Sequence, residues 1–381
     1  MLLSYTWKIG MLIAALLLGS AVPGSARKRA YENIGWKLTP IPIANFSSDD
    51  GAGYGLRTYL YEYDGKSIPY RRAYSIQGFF TSKGKWVHRL QMDVPNFIPG
   101  QRLEIELVYE KEKFANYYGE LGNEEVDRLL GMVDEETRKQ RTTFKQAHPL
   151  LRVTTIRNLR GDWRVKAEVG ATHGSITPNA DEGSLLEILD PLGADGGWLL
   201  KFSGSLHYDT RDDYTNCSKG LLEEFLIEYG LGKGGDFNGV KFSLEHRHFL
   251  PLGESLIFAH RAGGDITFGD VPFYEELKLG GSSTVRGLAA ARVRGQGRFL
   301  FNAELRWQGI PLYRKRSMYL GGLLFADAGQ IFSRREGPSL DDWRTSRGGG
   351  LRFHWHSTVL RADYGLSGDR TGLYITFSQV F

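Results

Sequence analysis

A single cysteine, Cys217, stands in a chain of 381 residues, so no internal disulfide can form. That excludes the small secreted domains that depend on several bridges. Beyond the N-terminal region no stretch offers the roughly 20 uninterrupted apolar residues that a membrane-spanning helix needs. The mean hydropathy of −0.33 agrees, and a bundle of membrane helices is excluded. An excess of one charge is missing too: 48 Lys and Arg are intermixed with 44 Asp and Glu. Nothing in that balance suggests a nucleic-acid surface. A Walker loop, a zinc finger and a dinucleotide fingerprint are all absent.

The N-terminus carries the first positive signal. Lys8 precedes an apolar run from Ile9 to Leu18, and Gly24-Ser25-Ala26 supplies small residues at a cleavage position. This pattern is that of a secretory signal peptide, and the run is too brief for a membrane anchor. Residues 1–26 are therefore expected to be the signal, 27–35 a short N-terminal segment, and 36–381 a single folded unit. No linker or second domain is evident.

The dominant period is two. Leu103, Ile105, Leu107 and Tyr109 alternate with Arg102, Glu104 and Glu106. Trp163, Val165, Ala167 and Val169 alternate with Arg164, Lys166 and Glu168. Phe299, Phe301, Ala303, Leu305 and Trp307 alternate with Arg298, Asn302, Glu304 and Arg306. The same rhythm runs through Trp86–Asp93, Val240–Arg247 and Leu360–Tyr364. At the end, Leu373, Ile375, Phe377 and Phe381 read as one face of a last strand, Gly372 to Phe381. Successive side chains of a strand point to opposite faces, so each strand has one apolar and one charged face. A soluble sandwich satisfies that pattern, and so does a barrel with lipid outside and water inside.

Length and connections favour the barrel. About sixteen runs of roughly ten residues follow Trp36, an even number of the length that crosses a bilayer. One set of connections is tight: Asn96 to Gly100, Asn158 to Asp162, Pro251 to Glu254 and Trp355 to Ser357. The other includes long members: Asn116 to Pro149, Gly174 to Gly196, Gly269 to Gly297 and Asp327 to Arg347. Short periplasmic turns opposite long outer loops are the pattern of outer-membrane barrels. The fold class expected is all-β, a transmembrane antiparallel β-barrel of about 16 strands. Within the first long loop, Val126, Leu129, Leu130 and Val133 have helical spacing and predict one short amphipathic helix over Glu124 to Thr143.

One loop stands out. Gly280 to Leu288 reads GGSSTVRGL, with further glycines at 295 and 297. Arg286 is its one charged residue. A guanidinium can anchor such a loop to a carboxylate in bidentate fashion, and the nearest lumen-facing carboxylates in sequence are Glu304 and Asp327. On residue chemistry alone, an exposed Arg in a flexible Gly-rich loop is the better reading.

The tip Val285-Arg286-Gly287-Leu288, followed by Phe325-Ala326-Asp327-Ala328-Gly329 and a C-terminal aromatic strand, resembles the BamA/TamA-type outer-membrane barrels, the bacterial surface antigen family. In that family the VRG(F/Y) tip folds into the barrel and its Arg meets the acidic residue of an FxDxG strand motif. The resemblance implies an inward-folded loop anchored by Arg286, with Asp327 as partner and Glu304 second, beside Phe325 and Gly329. Leu288 replaces the usual aromatic. Tyr208-Asp209-Thr210-Arg211-Asp212 resembles the family's periplasmic D-TRD turn, and Asn116 to Gly119 another recurrent segment. Ile375, Phe377 and Phe381 fit the terminal assembly signal read by the outer-membrane assembly machinery.

The resemblance further implies residence in the outer membrane, among lipid and lipopolysaccharide, and insertion or translocation of unfolded barrel or secreted proteins. Family members normally carry periplasmic polypeptide-transport domains; the expectation here is a barrel-only member. A channel and an adhesive surface antigen are the other readings. No enzymatic motif is found and no cofactor is expected. His246/His248 and His354/His356 are the close histidine pairs, each on one strand face and able to hold a metal. A third ligand is not evident from the sequence, so interfacial histidines are the favoured reading and no metal is expected.

Overall fold

The computed structural model describes residues 34–381 apart from 120–122, 234–235, 314–317, 356–357 and 369. The signal peptide lies outside the described residues, as do His356 and the turn it belongs to. Two consecutive groups of strands run along the chain. The first comprises β1 (Ile34–Ser47), β2 (Gly51–Asp64), β3 (Arg72–Thr81), β4 (Lys85–Ile98), β5 (Gln101–Asn116), β6 (Thr143–Asn158), β7 (Trp163–Pro178), β8 (Gly197–Asp209) and β9 (Gly220–Gly232). The second comprises β10 (Asn238–Pro251), β11 (Leu256–Asp270), β12 (Leu277–Leu279), β13 (Val293–Gly295), β14 (Gly297–Tyr313), β15 (Met318–Phe332), β16 (Arg344–Trp355), β17 (Thr358–Ser367) and β18 (Arg370–Phe377). All but β12 and β13 form one closed antiparallel barrel of sixteen strands in sequence order, the number the alternation predicts. Closure gives every strand two neighbours and removes most of the exposed sheet edge.

The outer wall is apolar. Phe301, Leu305 and Trp307 of β14 are exposed on it, as are Val165 and Val169 of β7 and Leu107 of β5. The inner wall is charged and its charges pair between strands. Glu106 bridges Arg89 and Arg152, and Arg152 also meets Glu168. Cross-strand neighbours on one face stand about 5 Å apart, so opposite charges at facing positions meet without extra backbone cost.

Long connections gather at one end of the barrel and build a small core there. Helices α1 (Asn123–Leu130) and α2 (Glu135–Arg141) occupy the β5–β6 loop, α3 (Leu185–Leu189) the β7–β8 loop, and a 3₁₀ turn (Phe273–Glu275) the segment after β11. Val126, Leu130, Leu185, Leu186, Phe144, Phe273 and Tyr274 bury one another in this cap. The single helix expected is two, broken at Gly131, whose φ of +69° ends α1. Of the apolar positions, Val126 and Leu130 are buried and Leu129 faces out.

Three boundaries move. Strand β1 starts at Ile34, inside the expected 27–35 segment, because Gly35 interrupts the alternation without ending the ladder. Strand β6 starts at Thr143, so the first long loop ends there and not at Pro149. Asp327 lies within β15, and only 333–343 form the loop after it. Its small residues, Ala326, Ala328 and Gly329, are strand positions, with Gly329 on the inward face of Asp327 and the two alanines on the outward face.

The last strand is shorter than expected. It ends at Phe377, and Ser378 takes a left-handed φ of +66° that turns residues 378–381 away from the sheet. Ile375 and Phe377 stay on the strand's outer face. Phe381 does not share it: the ring is buried with Cys217, Phe249, Ile257 and Ala259. Arg261 and Arg306 lie over the ring at 5.3 and 5.0 Å. A sequence period cannot report the turn at Ser378, which reverses the side on which the next side chain falls.

The β8–β9 connection closes over this tail. Arg211 donates twice to Asp209, at 2.9 and 3.0 Å, and Gly220 packs against the Thr210 carbonyl where a side chain would clash. Asn216 accepts from Gln379 at 3.1 Å. Burial opposes the charge of Asp212, but hydrogen bonds from Ser218, Cys217 and Lys219 outweigh it and hold the carboxyl down at about 2. Burial, with Asp212 beside it, pushes the Cys217 thiol up to about 11. In the folded barrel at pH 8 Cys217 is therefore expected to react slowly with iodoacetamide. Removing its cover with Phe381→Ala should speed alkylation by about tenfold for each pKa unit recovered. An unchanged rate in a folded variant would show that the tail does not shield the turn.

Candidate functional site: the loop tip and the barrel seam

The loop between β11 and β14 leaves the cap through the β12–β13 ribbon and places its tip against the inner wall. Val285 and Arg286 are both 0% exposed. Arg286 donates to Asp327 through Nε at 2.9 Å and Nη2 at 2.8 Å, and its backbone N–H adds a third bond at 3.1 Å. Nη1 reaches Glu304 at 2.7 Å and Asp363 at 3.3 Å. The structure thus brings together Arg286, Asp327 and Glu304, all named from the sequence, and adds Asp363. The signal for Asp363 was present, since it alternates with Ala362 and Tyr364 on the charged face of β17.

Each element of the FxDxG stretch has a separate task on the inward face of β15. The Phe325 ring lies under the guanidinium, 3.4 Å from ring centroid to Cζ. Cation–π contact over a desolvated face adds to the ion pairs. Asp327 takes the fork, and Asn302 and Ser346 orient it at 2.8 and 3.2 Å. At Gly329 a Cβ would stand 2.5 Å from Leu279 of the loop ribbon, so the absent side chain makes room for the loop. Gly287 has φ +95°, and a Cβ there would meet the Gly365 backbone at 2.9 Å. Leu288 packs with Val285, Leu279 and Leu300, which fills its apolar place without a ring.

The charges form a closed group. Guanidiniums of Arg286, Arg306, Arg352 and Arg361 surround the carboxylates of Glu304, Asp327 and Asp363. Side chains of Arg286, Glu304, Asp327 and Asp363 are 0% exposed. Such a group tolerates replacement as a unit far better than loss of one member, which strands a buried charge.

The same loop touches both sides of the barrel seam, where the first and last strands meet. Gly287 N–H donates to Tyr374 Oη of β18 at 3.1 Å. Ala290 N–H donates to Asp49, just beyond β1, at 3.0 Å. The seam itself is short. Strand β1 pairs with β18 only at Phe46↔Ile375 and Ser47↔Tyr374, next to a Ser48 N–H to Leu373 carbonyl bond of 3.0 Å. On its other side β1 pairs with β2 along its whole length, from Ile34 to Ser47. Among the described residues, β1 from Ile34 to Asn45 has no strand partner on the seam side. Trp36 and Leu38 are 55% and 66% exposed there.

Pro40 and Pro42 explain part of this, and the sequence reading missed them. The β1–β2 ladder runs past both without a register shift, and Ser48, of the same parity, sends its N–H to β18. Their missing donors therefore fall on the seam. Proline in a strand marks an edge in this way.

A family model for the Omp85 superfamily domain matches residues 102–379. The chain belongs to the Omp85 superfamily. This is a family of outer-membrane barrels that insert or secrete proteins. Among solved structures, BamA from Haemophilus ducreyi lacking POTRA domains 1–3 aligns with TM-score 0.66 and 14% identity, over 91% of this chain and 70% of that one. CdiB from Escherichia coli aligns with TM-score 0.59 and 14% identity, over 94% and 63%. CdiB from Acinetobacter baumannii gives 0.56 and 11%, over 90% and 60%. The chain thus spans less than two thirds of the CdiB chains. No curated protein sequence matches it. At these identities the likeness is one of fold.

Arg286→Ala leaves the buried Asp327 without its cation, while Glu304 keeps Arg306 and Asp363 keeps Arg352 and Arg361. The substitution is expected to cost about 3–5 kcal/mol in urea unfolding of the detergent-solubilised barrel. Arg286→Lys should recover little, because one ammonium lacks the fork that Asp327 and Glu304 share. Asp327→Ala should cost less, since Glu304 and Asp363 remain. The double variant should fall short of the sum, with a coupling of about 0.5–3 kcal/mol. Strict additivity would exclude a direct pair.

Proposed function

We propose that this Omp85 barrel inserts proteins into, or moves them across, the outer membrane by offering the free edge of β1 to an incoming strand. The observation that carries the reading is the seam, paired at only two positions near the loop end. An unpaired strand edge is a template for another chain, and its main-chain hydrogen bonds supply affinity without demanding a particular sequence. The exposed Trp36 and Leu38 give that edge an apolar outer face suited to lipid. The brace from the loop tip to Tyr374 and Asp49 keeps the loop end of the seam shut while the opposite end parts.

On this proposal residues 1–26 direct export, the mature barrel is placed in the outer membrane by the resident assembly machinery, and the cap meets lipopolysaccharide. The Asp209–Arg211 turn and the terminal strand with Ile375 and Phe377 serve that assembly. Substrates are unfolded barrel or secreted chains.

A photo-crosslinker at Leu38 in intact cells is expected to capture strands of other barrel or secreted proteins, identified by mass spectrometry. A cysteine pair Ala44→Cys/Phe377→Cys, in a Cys217→Ser background, continues the register of Phe46↔Ile375 and should lock the seam. Oxidation should then abolish capture, and reductant should restore it. Crosslinks to the chain's own β18 alone, in the unlocked protein, would refute the proposal.

A further inference from the structure

Away from the loop tip, the described residues hold one group of potential metal ligands: His246 and His248 on β10 and His260 on β11. Their ligand atoms all lie within 4.8 Å of one another. The register makes this so. His248 sits directly opposite His260, and His246 is two residues along the same face of β10. Ring centroids stand 5.2 to 5.9 Å apart. The third ligand that the sequence did not reveal is thus supplied by the hairpin. The turn after Pro251 sets His248 and His260 at equal distances from its centre.

The group lies on the outer wall, on the same face as Phe242 and Leu244, which are 37% and 59% exposed. It sits near the short-turn end, which is the periplasmic end of an outer-membrane barrel. His248 is about 10 Å along the strand from Pro251. Three imidazoles add little to a wall that faces lipid, and polar groups at such positions ordinarily serve a function. A fourth group is in place. Glu223 of β9 faces His246 across the ladder, and its carboxylate lies 2.6 Å from Nδ1. That bond fixes the ring and leaves Nε2 for a ligand, the outer-shell arrangement that metal-bound imidazoles ordinarily have.

We propose that His246, His248 and His260 bind a first-row divalent metal ion of the zinc class, with Glu223 orienting His246. Three neutral imidazoles with a fourth position open to water are an established zinc ligand set. The absence of further carboxylate or carbonyl oxygens in the group disfavours calcium and magnesium. The ion would tie β10 to β11, the strand that leads into the anchored loop. Its fourth position would remain for interfacial water or a donor from outside the barrel.

The test uses the full chain, untagged, folded in detergent and stripped with chelator. Co²⁺ titration should develop the visible bands of a tetrahedral site, saturate at one ion per chain, and be reversed by Zn²⁺. His260→Gln should abolish the bands while the heat-modifiable gel shift of the folded barrel persists. Glu223→Gln should weaken binding about 10- to 100-fold. Zinc-edge absorption on the wild-type protein should give three nitrogen neighbours at about 2.0–2.1 Å, independent of any variant's folding. Failure to bind one ion per chain, full retention of the bands in His260→Gln, or an all-oxygen shell would each overturn the proposal.

Discussion

The rest of this structure depends on the burial of one positive charge. Arg286 is fully buried in the wall, and the carboxylates of β14, β15 and β17 make that position tolerable. Dehydrating a guanidinium costs several kcal/mol, so the loop has either this place or none. Because its partners come from three strands, the anchor also fixes those strands relative to one another. Phe325 below the fork and Gly329 beside the ribbon shape the pocket in which the tip rests. The ion pair is thus the point where loop, lumen and wall become one body.

A second constraint works against complete closure. A barrel is stable because every strand edge is paired, yet β1 carries Pro40 and Pro42 with their missing donors toward β18. Strand β18 in turn stops at Phe377, and Ser378 leads the chain inward. The seam is left zipped at the loop end and unpartnered below. What holds it is partly indirect. The anchored loop bonds to Tyr374 on one side and Asp49 on the other, and Phe381 packs beneath against Phe249 and Arg306. An enclosed wall with one weak line is the arrangement that strand exchange requires.

Much of the fold was legible because its cause is local. Alternation reports which side of a pleat a residue occupies, so strand number, the charged lumen and the apolar wall could be read directly. Boundaries were less legible. Gly35 and the small residues around Asp327 look like loop yet continue ladders whose partners are distant in sequence. The cap helices split at Gly131 because one residue with positive φ outweighs a continuous apolar spacing. Phe381 was misplaced for a similar reason: a single left-handed residue, Ser378, cancels the period on which its assignment rested.

The site divides along the same line. By itself the sequence determined that Arg286 belongs to a glycine-rich tip, that Asp327 and Glu304 face the lumen, and that Phe325 and Gly329 share the face of Asp327. Period and motif suffice for that, since each concerns neighbours along one strand. Only the tertiary structure decided that Asp363 completes the pocket, that Pro40 and Pro42 face the seam, and that His260 stands beside His246 and His248. Those meetings depend on register and closure. A strand fixes the side to which its residues point, and only the pairing of strands far apart in sequence fixes what they point at.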